Sequence, residues 1–204
     1  LINTISILEQ IIANWGIVII LLALLIIYLG LSILFKILKL AIIILAIALI
    51  ALYSLYFFGY RLNISSSMPI GIYKFQKTNT FKIGDTVEVC LPDNIAKYAF
   101  DRGYISKGSC ENGYAPLIKE IIAVPNDYVA INKSQIKVNA KVYFLKQKVF
   151  DKQNRMLTQQ KIDQKINGYL LIGTESQDSW DSRYFGVIQA QYIEGIMKKV
   201  WIWQ

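Results

Sequence analysis

The stretch Gly84-Asp85-Thr86-Val87-Glu88-Val89 decides the class of fold, because it joins a turn to a strand. Gly84-Asp85 is typical of a turn, and Val87-Glu88-Val89 alternates apolar and charged side chains as a half-buried strand does. Tyr128-Val129-Ala130-Ile131 alternates in the same way, and residues 169–172 have the composition of a buried strand. Short strands of this kind predict a mainly β domain.

The following segments extend the β prediction to the C-terminus. Residues 135–145 predict a hairpin with Asn139-Ala140 in its turn, where Asn-Gly would be more usual. Residues 146–167 are rich in Lys and Gln, which favours an exposed loop or an irregular hairpin. The last residues alternate well enough to close a sheet, and Trp201 and Trp203 are expected near the membrane.

The N-terminal part predicts a membrane anchor. From Ile11 to Tyr60 the chain is almost wholly apolar. As one straight helix this stretch would be about 75 Å long, whereas the hydrocarbon core of a bilayer is about 30 Å thick. We therefore expect two transmembrane helices, at about 13–35 and 40–59, with Lys36 and Lys39 marking the turn between them.

The charge distribution separates this anchor, residues 1–60, from a soluble-type domain, residues 61–204. The domain holds 20 of the 22 basic and 13 of the 14 acidic residues, so it carries nearly all of the net charge of +8. The basic residues are spread without a dense cluster, which favours a basic surface near anionic lipid over nucleic-acid binding. No basic segment precedes the apolar run, which is also several times too long for a cleaved secretory signal.

Two observations bear on the side of the membrane. The positive-inside rule places Lys36 and Lys39 in the cytoplasm and the domain on the other side. This bias is weakened by Arg61, Lys74 and Lys77, which follow the second span closely. The two cysteines of the domain favour the same location. We expect a protein of the inner (plasma) membrane with a periplasmic, or more generally extracytoplasmic, domain.

Cys90 and Cys110 are the only cysteines of the chain. In an extracytoplasmic domain such a pair predicts a disulfide, and the alternative is two unrelated buried thiols. The segment between them contains a predicted helix, Asn94 to Arg102, which Asp93 can cap and Gly103 can end.

The absence of histidine limits the possible chemistry. It excludes a Ser-His-Asp triad and any histidine metal site, so a serine activated by a neutral lysine remains available to a hydrolase. We expect neither a metal nor a cofactor.

Ser65-Ser66-Ser67-Met68-Pro69 follows the apolar run closely. A serine-rich turn before proline is usually structural, but this position suits a substrate at the membrane surface.

Lys119 lies in the second candidate segment, Leu117 to Asp127. A lysine at the edge of an apolar strand usually extends its amine to water. A general base would instead need burial, because lowering a lysine pKa from about 10.4 to near 7 takes about 4–5 kcal/mol. Ile118, Met68 and their apolar neighbours could provide that burial.

The third segment, Gly173 to Gly186, has the composition of a polar loop with an Asp181–Arg183 pair.

These segments, in this order, resemble the type I signal peptidases, which are Ser-Lys peptidases of family S26. The resemblance covers about residues 60–190 and includes Ser-x-Ser-Met-Pro, Gly-Asp-x-Val-x-Val, x-Ile-Lys-x-Ile-Ile-Ala and Asp-Ser-Trp-Asp-Ser-Arg-Tyr-Phe-Gly. Met-Pro-x-Gly-Ile-Tyr and the insertion between the cysteines are similar to the conjugative-transfer branch (TraF type). Asn126 stands where the family has glycine, and asparagine tolerates the left-handed backbone of such a turn.

The resemblance implies roles for individual residues. Ser67, directly before Met-Pro, corresponds to the nucleophile, and Lys119 to the general base. The Ser65 hydroxyl and the Ser67 amide correspond to the oxyanion hole. Ser179 corresponds to the residue that orients the lysine.

The remaining positions have supporting roles by the same resemblance. Asp181 and Arg183 match an ion pair behind the site. Met68 and Ile118 lie beside a shallow pocket that accepts small residues before the cut. The implied fold is a signal-peptidase-type β domain, and the implied partners are the lipid bilayer and precursor proteins.

The function expected from this resemblance is cleavage of exported precursors at the outer membrane face. In the conjugative branch the precursor is a pilin, and an internal amine could resolve the acyl-enzyme to give a cyclic product. One alternative is a housekeeping signal peptidase with many secretory substrates. The other is a degenerate, membrane-tethered scaffold of a secretion apparatus, against which the intact Ser67, Lys119 and Ser179 argue.

Overall fold

A computed structural model describes residues 2–203, which form two compact units divided between Leu55 and Tyr56. The first unit belongs to one helix, α1 (Ile2–Phe57), within which Trp15–Phe57 is long and apolar enough to cross a membrane. The second unit contains ten strands and three short helices in its described part.

The structure contains one long helix where the sequence predicts two. The predicted turn at Lys36 and Lys39 is wrong for the described residues, because α1 continues through both lysines. Residues 31–57 contain no proline, glycine, asparagine or aspartate, and lysine itself favours helix, so nothing in the segment interrupts the backbone hydrogen bonds. At about 1.5 Å per residue α1 is far longer than a hydrocarbon core about 30 Å thick.

The second unit is mainly β, as the sequence predicts. Its elements in chain order are β1 (Tyr60–Asn63), β2 (Gly71–Gln76), β3 (Thr86–Val89), α2 (Asp93–Asp101), β4 (Leu117–Ala123), β5 (Tyr128–Ile131), β6 (Ile136–Val138), β7 (Lys141–Tyr143), β8 (Asp163–Lys165), β9 (Leu170–Ile172), α3 (Ser182–Phe185), a 3₁₀ turn (Ala190–Tyr192) and β10 (Ile193–Ile202).

Two antiparallel sheets organise these strands. The first has the order β1-β2-β10-β3-β4-β9, and the second has the order β7-β6-β5-β8. The long strand β10 pairs with both β2 and β3 and so joins the N-terminal hairpin to the rest of the first sheet. In the first sheet Lys119 of β4 lies opposite Val87 of β3.

Apolar side chains form two core clusters. One packs the first sheet against α2 and includes Val87, Ala96 and Ile121. The other lies between β4, β9 and the second sheet and includes Ile122 and Val129. Strand β4 contributes to both clusters, so its backbone is fixed from both faces.

Two asparagines occupy the left-handed turns that the sequence indicates. Asn126 has φ +77°, which confirms that asparagine takes up the left-handed conformation there, and Asn139 of the predicted hairpin turn has φ +51°. The predicted cap of α2 is wrong: Asp93 is the first helical residue after Pro92 and makes no capping hydrogen bond. Its carboxylate instead lies in the first turn, where the helix dipole favours negative charge.

Candidate active site

The loop that carries Ser65, Ser66 and Ser67 is fixed by one buried side chain, Asn63 at the end of β1. The Asn63 amide nitrogen donates to the carbonyl oxygens of Ser65 (3.1 Å), Met68 (3.2 Å) and Pro69 (3.0 Å). Its amide oxygen accepts from the Ser65 N–H at 3.1 Å. A single asparagine therefore determines the path of the whole turn.

The buried side chains of Tyr73 and Met68 also support this loop. The Tyr73 hydroxyl donates to the Pro69 carbonyl at 2.7 Å, and both Tyr73 and Met68 are buried. Ser67 is half-buried, while Ser65 is exposed. The Ser67 N–H donates to the Ser65 hydroxyl at 3.3 Å, so the two groups that could stabilise an oxyanion lie side by side.

Lys119 is buried in the middle of β4, with 2% of its surface exposed. Its Nζ donates to the Ser179 hydroxyl at 3.0 Å. Burial lowers the pKa of Lys119 to about 8; the Asp181 carboxylate opposes this shift and the Arg183 guanidinium adds to it. Roughly a tenth of this amine is therefore neutral at pH 7, far more than for a solvent-exposed lysine.

Ser179 is held in place by a buried ion pair. Arg183 donates to both carboxylate oxygens of Asp181, through Nε and through a terminal nitrogen, each at 2.8 Å. The same terminal nitrogen of Arg183 donates to the Ser179 carbonyl at 2.9 Å. Burial alone would lower the pKa of Arg183, but the hydrogen bond and charge of Asp181 raise it, so the guanidinium stays charged.

Gly173 brings the serine loop next to Ser179. A Cβ at Gly173 would overlap the Ser179 side chain and lie 2.8 Å from the Ser67 carbonyl oxygen. The Gly173 N–H donates to Asp181 at 3.1 Å, and the Glu175 N–H donates to the Ser67 carbonyl at 3.2 Å. Ser67 and Ser179 are therefore neighbours, and Ser179 binds the lysine amine.

The segment between Cys90 and Cys110 packs beside these residues. Cys90 and Cys110 form a disulfide, so the prediction of a bond rather than two separate thiols is confirmed. Tyr98 stacks on Trp180 with ring centroids 6.3 Å apart, and Tyr104 lies 5.3 Å from the same ring. Trp180 directly follows Ser179, so the segment packs against the residue next to the one that binds Lys119.

The structure gathers most of the residues that the sequence singles out. Ser65, Ser67, Ser179, Asp181 and Arg183 lie in one connected set of contacts with Lys119, and Met68 accepts a hydrogen bond from Thr174 at 3.7 Å. The hydrogen bond found for the Lys119 amine in residues 2–203 is to Ser179 rather than to Ser67. Ile118 is half-buried on β4.

Sequence reasoning misses three contributors: Asn63, Gly173 and Trp180. Asn63 has a weak signal, since a polar residue ends an otherwise mixed strand just before the serine turn. Gly173 has a clearer one, because glycine directly after a buried strand often marks a close approach of backbone. No group of three or more Cys, Asp or Glu side chains within the described residues could hold a metal ion.

Comparisons with known proteins identify the family of this chain. The family described as "Signal peptidase, peptidase S26" matches residues 33–203, which is most of the chain. The chain belongs to the S26 signal peptidase family. A Conjugal transfer protein TraF of Agrobacterium fabrum is 31% identical over 144 residues, covering 70% of this chain and 82% of the relative.

Two further relatives have similar coverage. A Plasmid transfer protein TraF of Escherichia coli is 31% identical over 150 residues, covering 71% of this chain and 84% of the relative. A Probable conjugal transfer protein TraF of Sinorhizobium fredii is 33% identical over 147 residues, covering 71% and 78%. Within the S26 family this chain is thus of the TraF type.

Proposed function

We propose that this protein is a membrane-anchored serine endopeptidase with a Ser-Lys dyad that matures exported precursors in conjugation. The observation that supports this most strongly is the buried amine of Lys119, which binds Ser179 at 3.0 Å beside the serine turn. A fully buried lysine is usually paired with a carboxylate, and here its hydrogen-bond partner is a hydroxyl.

The proposed reaction begins with the neutral amine of Lys119. Its lone pair takes the proton of the Ser67 hydroxyl, and the Ser67 oxygen attacks the scissile carbonyl carbon. The carbonyl oxygen becomes an oxyanion, to which the Ser67 N–H and the Ser65 hydroxyl donate. The long 3.3 Å bond between these two groups is exchanged for bonds to the substrate at little cost.

The second half of the reaction returns the proton. The ammonium of Lys119 protonates the leaving amine as the carbon–nitrogen bond breaks, which leaves an acyl-enzyme on Ser67. Water then attacks the ester, with Lys119 again as the base, and releases the shortened chain. If an amine of the same substrate chain attacks the ester in place of water, the product is cyclic. Its mass is then lower by one water than that of the linear cleaved chain.

The names of the relatives suggest the substrate class. They are conjugal or plasmid transfer proteins, and a precursor of a conjugative pilus is the exported protein that we propose as substrate. The pocket beside Met68 and Ile118 would accept small residues before the cut. The Cys90–Cys110 disulfide supports an extracytoplasmic domain, because such bonds persist in oxidising compartments.

Co-expression with a candidate pilin precursor tests the proposal, with mass spectrometry of the pilin as the readout. The native chain should shorten the precursor, and Ser67→Ala should abolish cleavage while its neighbour Ser66→Ala should not. Lys119→Met and Lys119→Arg should both be inactive, because a guanidinium is not deprotonated at working pH.

The same experiment separates the alternatives. Cleavage that survives Ser67→Ala but is lost in Ser65→Ala or Ser66→Ala would show that the nucleophile is assigned to the wrong serine. Equal cleavage of unrelated secretory precursors would favour the housekeeping role. If the precursor stays unprocessed even with the native chain, in membranes that contain the folded protein, the scaffold role would be favoured.

A further inference from the structure

A cleft opens beside Ser67. It has a volume of about 340 Å³, and Ser67 is among the residues that line it. Neither Met68 nor Ile118, the residues assigned to the pocket before the cut, contributes to its lining. With the residues before the cut placed beside Met68 and Ile118, as proposed above, a peptide that crosses Ser67 enters this cleft with the residues that follow the scissile bond.

The lining of the cleft combines aromatic rings with cations. Tyr104, Phe150 and Trp180 provide aromatic surface. The four cationic side chains of the lining outnumber its two carboxylates; the cations are Arg102, Lys148, Lys152 and Arg155, and the carboxylates are Asp151 and Asp178. The cleft thus carries about two positive charges that its own carboxylates do not balance.

The first carboxylate, Asp151, is already saturated with hydrogen bonds. It accepts from the Tyr104 hydroxyl at 2.6 Å and from Arg155 Nε at 2.8 Å, and Arg102 lies 3.9 Å away. Burial alone would raise the pKa of Asp151, but the bonds from Tyr104 and Arg155 outweigh it and hold this pKa far below its usual range. Asp151 therefore fixes two arginines and can offer little to a ligand.

The second carboxylate, Asp178, is shared by two lysines. Lys148 is in direct contact with it, and Lys152 Nζ lies 3.4 Å away. The side chain of Lys152 is 76% exposed, so its ammonium can turn toward a ligand in the cleft without leaving a buried partner unpaired. Asp178 and Asp151 thus each hold a pair of cations around one opening beside the nucleophile.

We propose that this cleft binds a carboxylate of the peptide that leaves, so the enzyme prefers precursors with an acidic residue shortly after the cut. The inference rests on the proposed function and adds to it the chemistry of the leaving segment. The aromatic surface would contact the apolar part of that segment, while the cations compensate its negative charge. The same carboxylate chemistry could come from a free chain end.

The test uses purified, detergent-solubilised full-length protein and peptides that share one sequence before the cut. After the cut they carry Glu, Gln or Lys at one position, each with a free or an amidated C-terminus. We expect kcat/KM to be about fivefold to tenfold higher for Glu than for Gln, and lowest for Lys, with the difference shrinking at high salt.

Variants link the preference to the cleft. Lys152→Gln should reduce the Glu-to-Gln ratio, and Lys152→Glu should abolish or invert it. The exposed Lys137 of β6 provides the matched control: Lys137→Gln removes the same charge outside the cleft and should leave the ratio unchanged. If the free C-terminus rather than the Glu side chain sets the preference, amidation will remove it, and the cleft binds the chain end.

The outcomes separate this inference from the proposed function. Equal cleavage of the Glu, Gln and Lys peptides by the native chain, with cleavage lost in Ser67→Ala, overturns the carboxylate site and keeps the peptidase. A preference that Lys152→Glu leaves unchanged also overturns the site. Cleavage that persists in Ser67→Ala overturns the proposed function itself.

Discussion

The pH dependence of cleavage should report the protonation of Lys119 directly. Burial lowers the pKa of this amine from 10.5 to about 8. A shift of that size corresponds to about 3 kcal/mol of destabilisation of the charged form. With a pKa of about 8, roughly a tenth of the amine is neutral at pH 7 and roughly nine tenths at pH 9.

The expected profile follows from those fractions. Since only the neutral amine can take the Ser67 proton, kcat/KM should rise about tenfold between pH 7 and pH 9 and then level off. A stopped assay with a fluorogenic peptide, in buffers of constant ionic strength, measures this. A rate that keeps climbing to pH 10 or above would refute the neutral-lysine reasoning.

Stability provides an independent measurement of the same group. Because the folded pKa is lowered, the unfolded chain binds more protons between about pH 8 and pH 10.5, so the free energy of unfolding should rise with pH across that window. Below pH 8 the full cost of the buried ammonium is present. Lys119→Met should remove this rise, and chemical denaturation of both proteins at pH 7.5 and pH 10 tests it.

Four further predictions concern the residues that support the site and the location of the domain. Gly173→Ala should reduce cleavage about a hundredfold with little loss of membrane expression, since the new methyl displaces the Ser179 hydroxyl; normal activity would contradict the close approach. Asn63→Ala should lower kcat more than it raises KM, because three carbonyl bonds to the serine loop are lost; Asn63→Gln, unable to restore them at the same reach, should not rescue it. Replacing Cys90 and Cys110 by serine should destabilise the domain by about 3 kcal/mol in the chain-entropy model. In intact cells a membrane-impermeant thiol reagent should label both native cysteines only after reduction, and labelling that needs lysis but no reductant would contradict the extracytoplasmic location.

Local rules predict much of the β domain from the sequence. Alternation identifies β3 and β5, and the C-terminal pattern identifies β10. Asn126 and Asn139 show why such rules succeed: each turn needs a left-handed residue, and asparagine tolerates that conformation more readily than most residues do. These elements depend on neighbours within a few residues, which the sequence displays directly.

The burial of the Asp181–Arg183 pair could not be predicted from composition. Asp181 and Arg183 belong to a segment with the composition of a polar loop, yet both side chains are fully buried. Their burial depends on packing against segments distant in sequence, such as the Lys146 carbonyl that accepts from Arg183 at 2.9 Å. The resemblance to the signal peptidases is what gives this pair a role behind the site, because a family motif carries tertiary information that hydropathy lacks.

The buried ion pair explains how a lysine can be both neutral and well positioned. An acidic partner in direct contact would hold Lys119 charged, whereas the Asp181 carboxylate uses its oxygens on Arg183 and on the Gly173 N–H. The Ser179 hydroxyl then binds the amine without adding a negative charge next to it. Asp181→Asn should therefore leave Arg183 as an unpaired buried cation, and the fold should lose about 3–5 kcal/mol. A matched change at the exposed Asp163, Asp163→Asn, should cost less than about 1 kcal/mol. Equal stability of the two variants would show that the pair does not hold the site, and Lys119 would need another support.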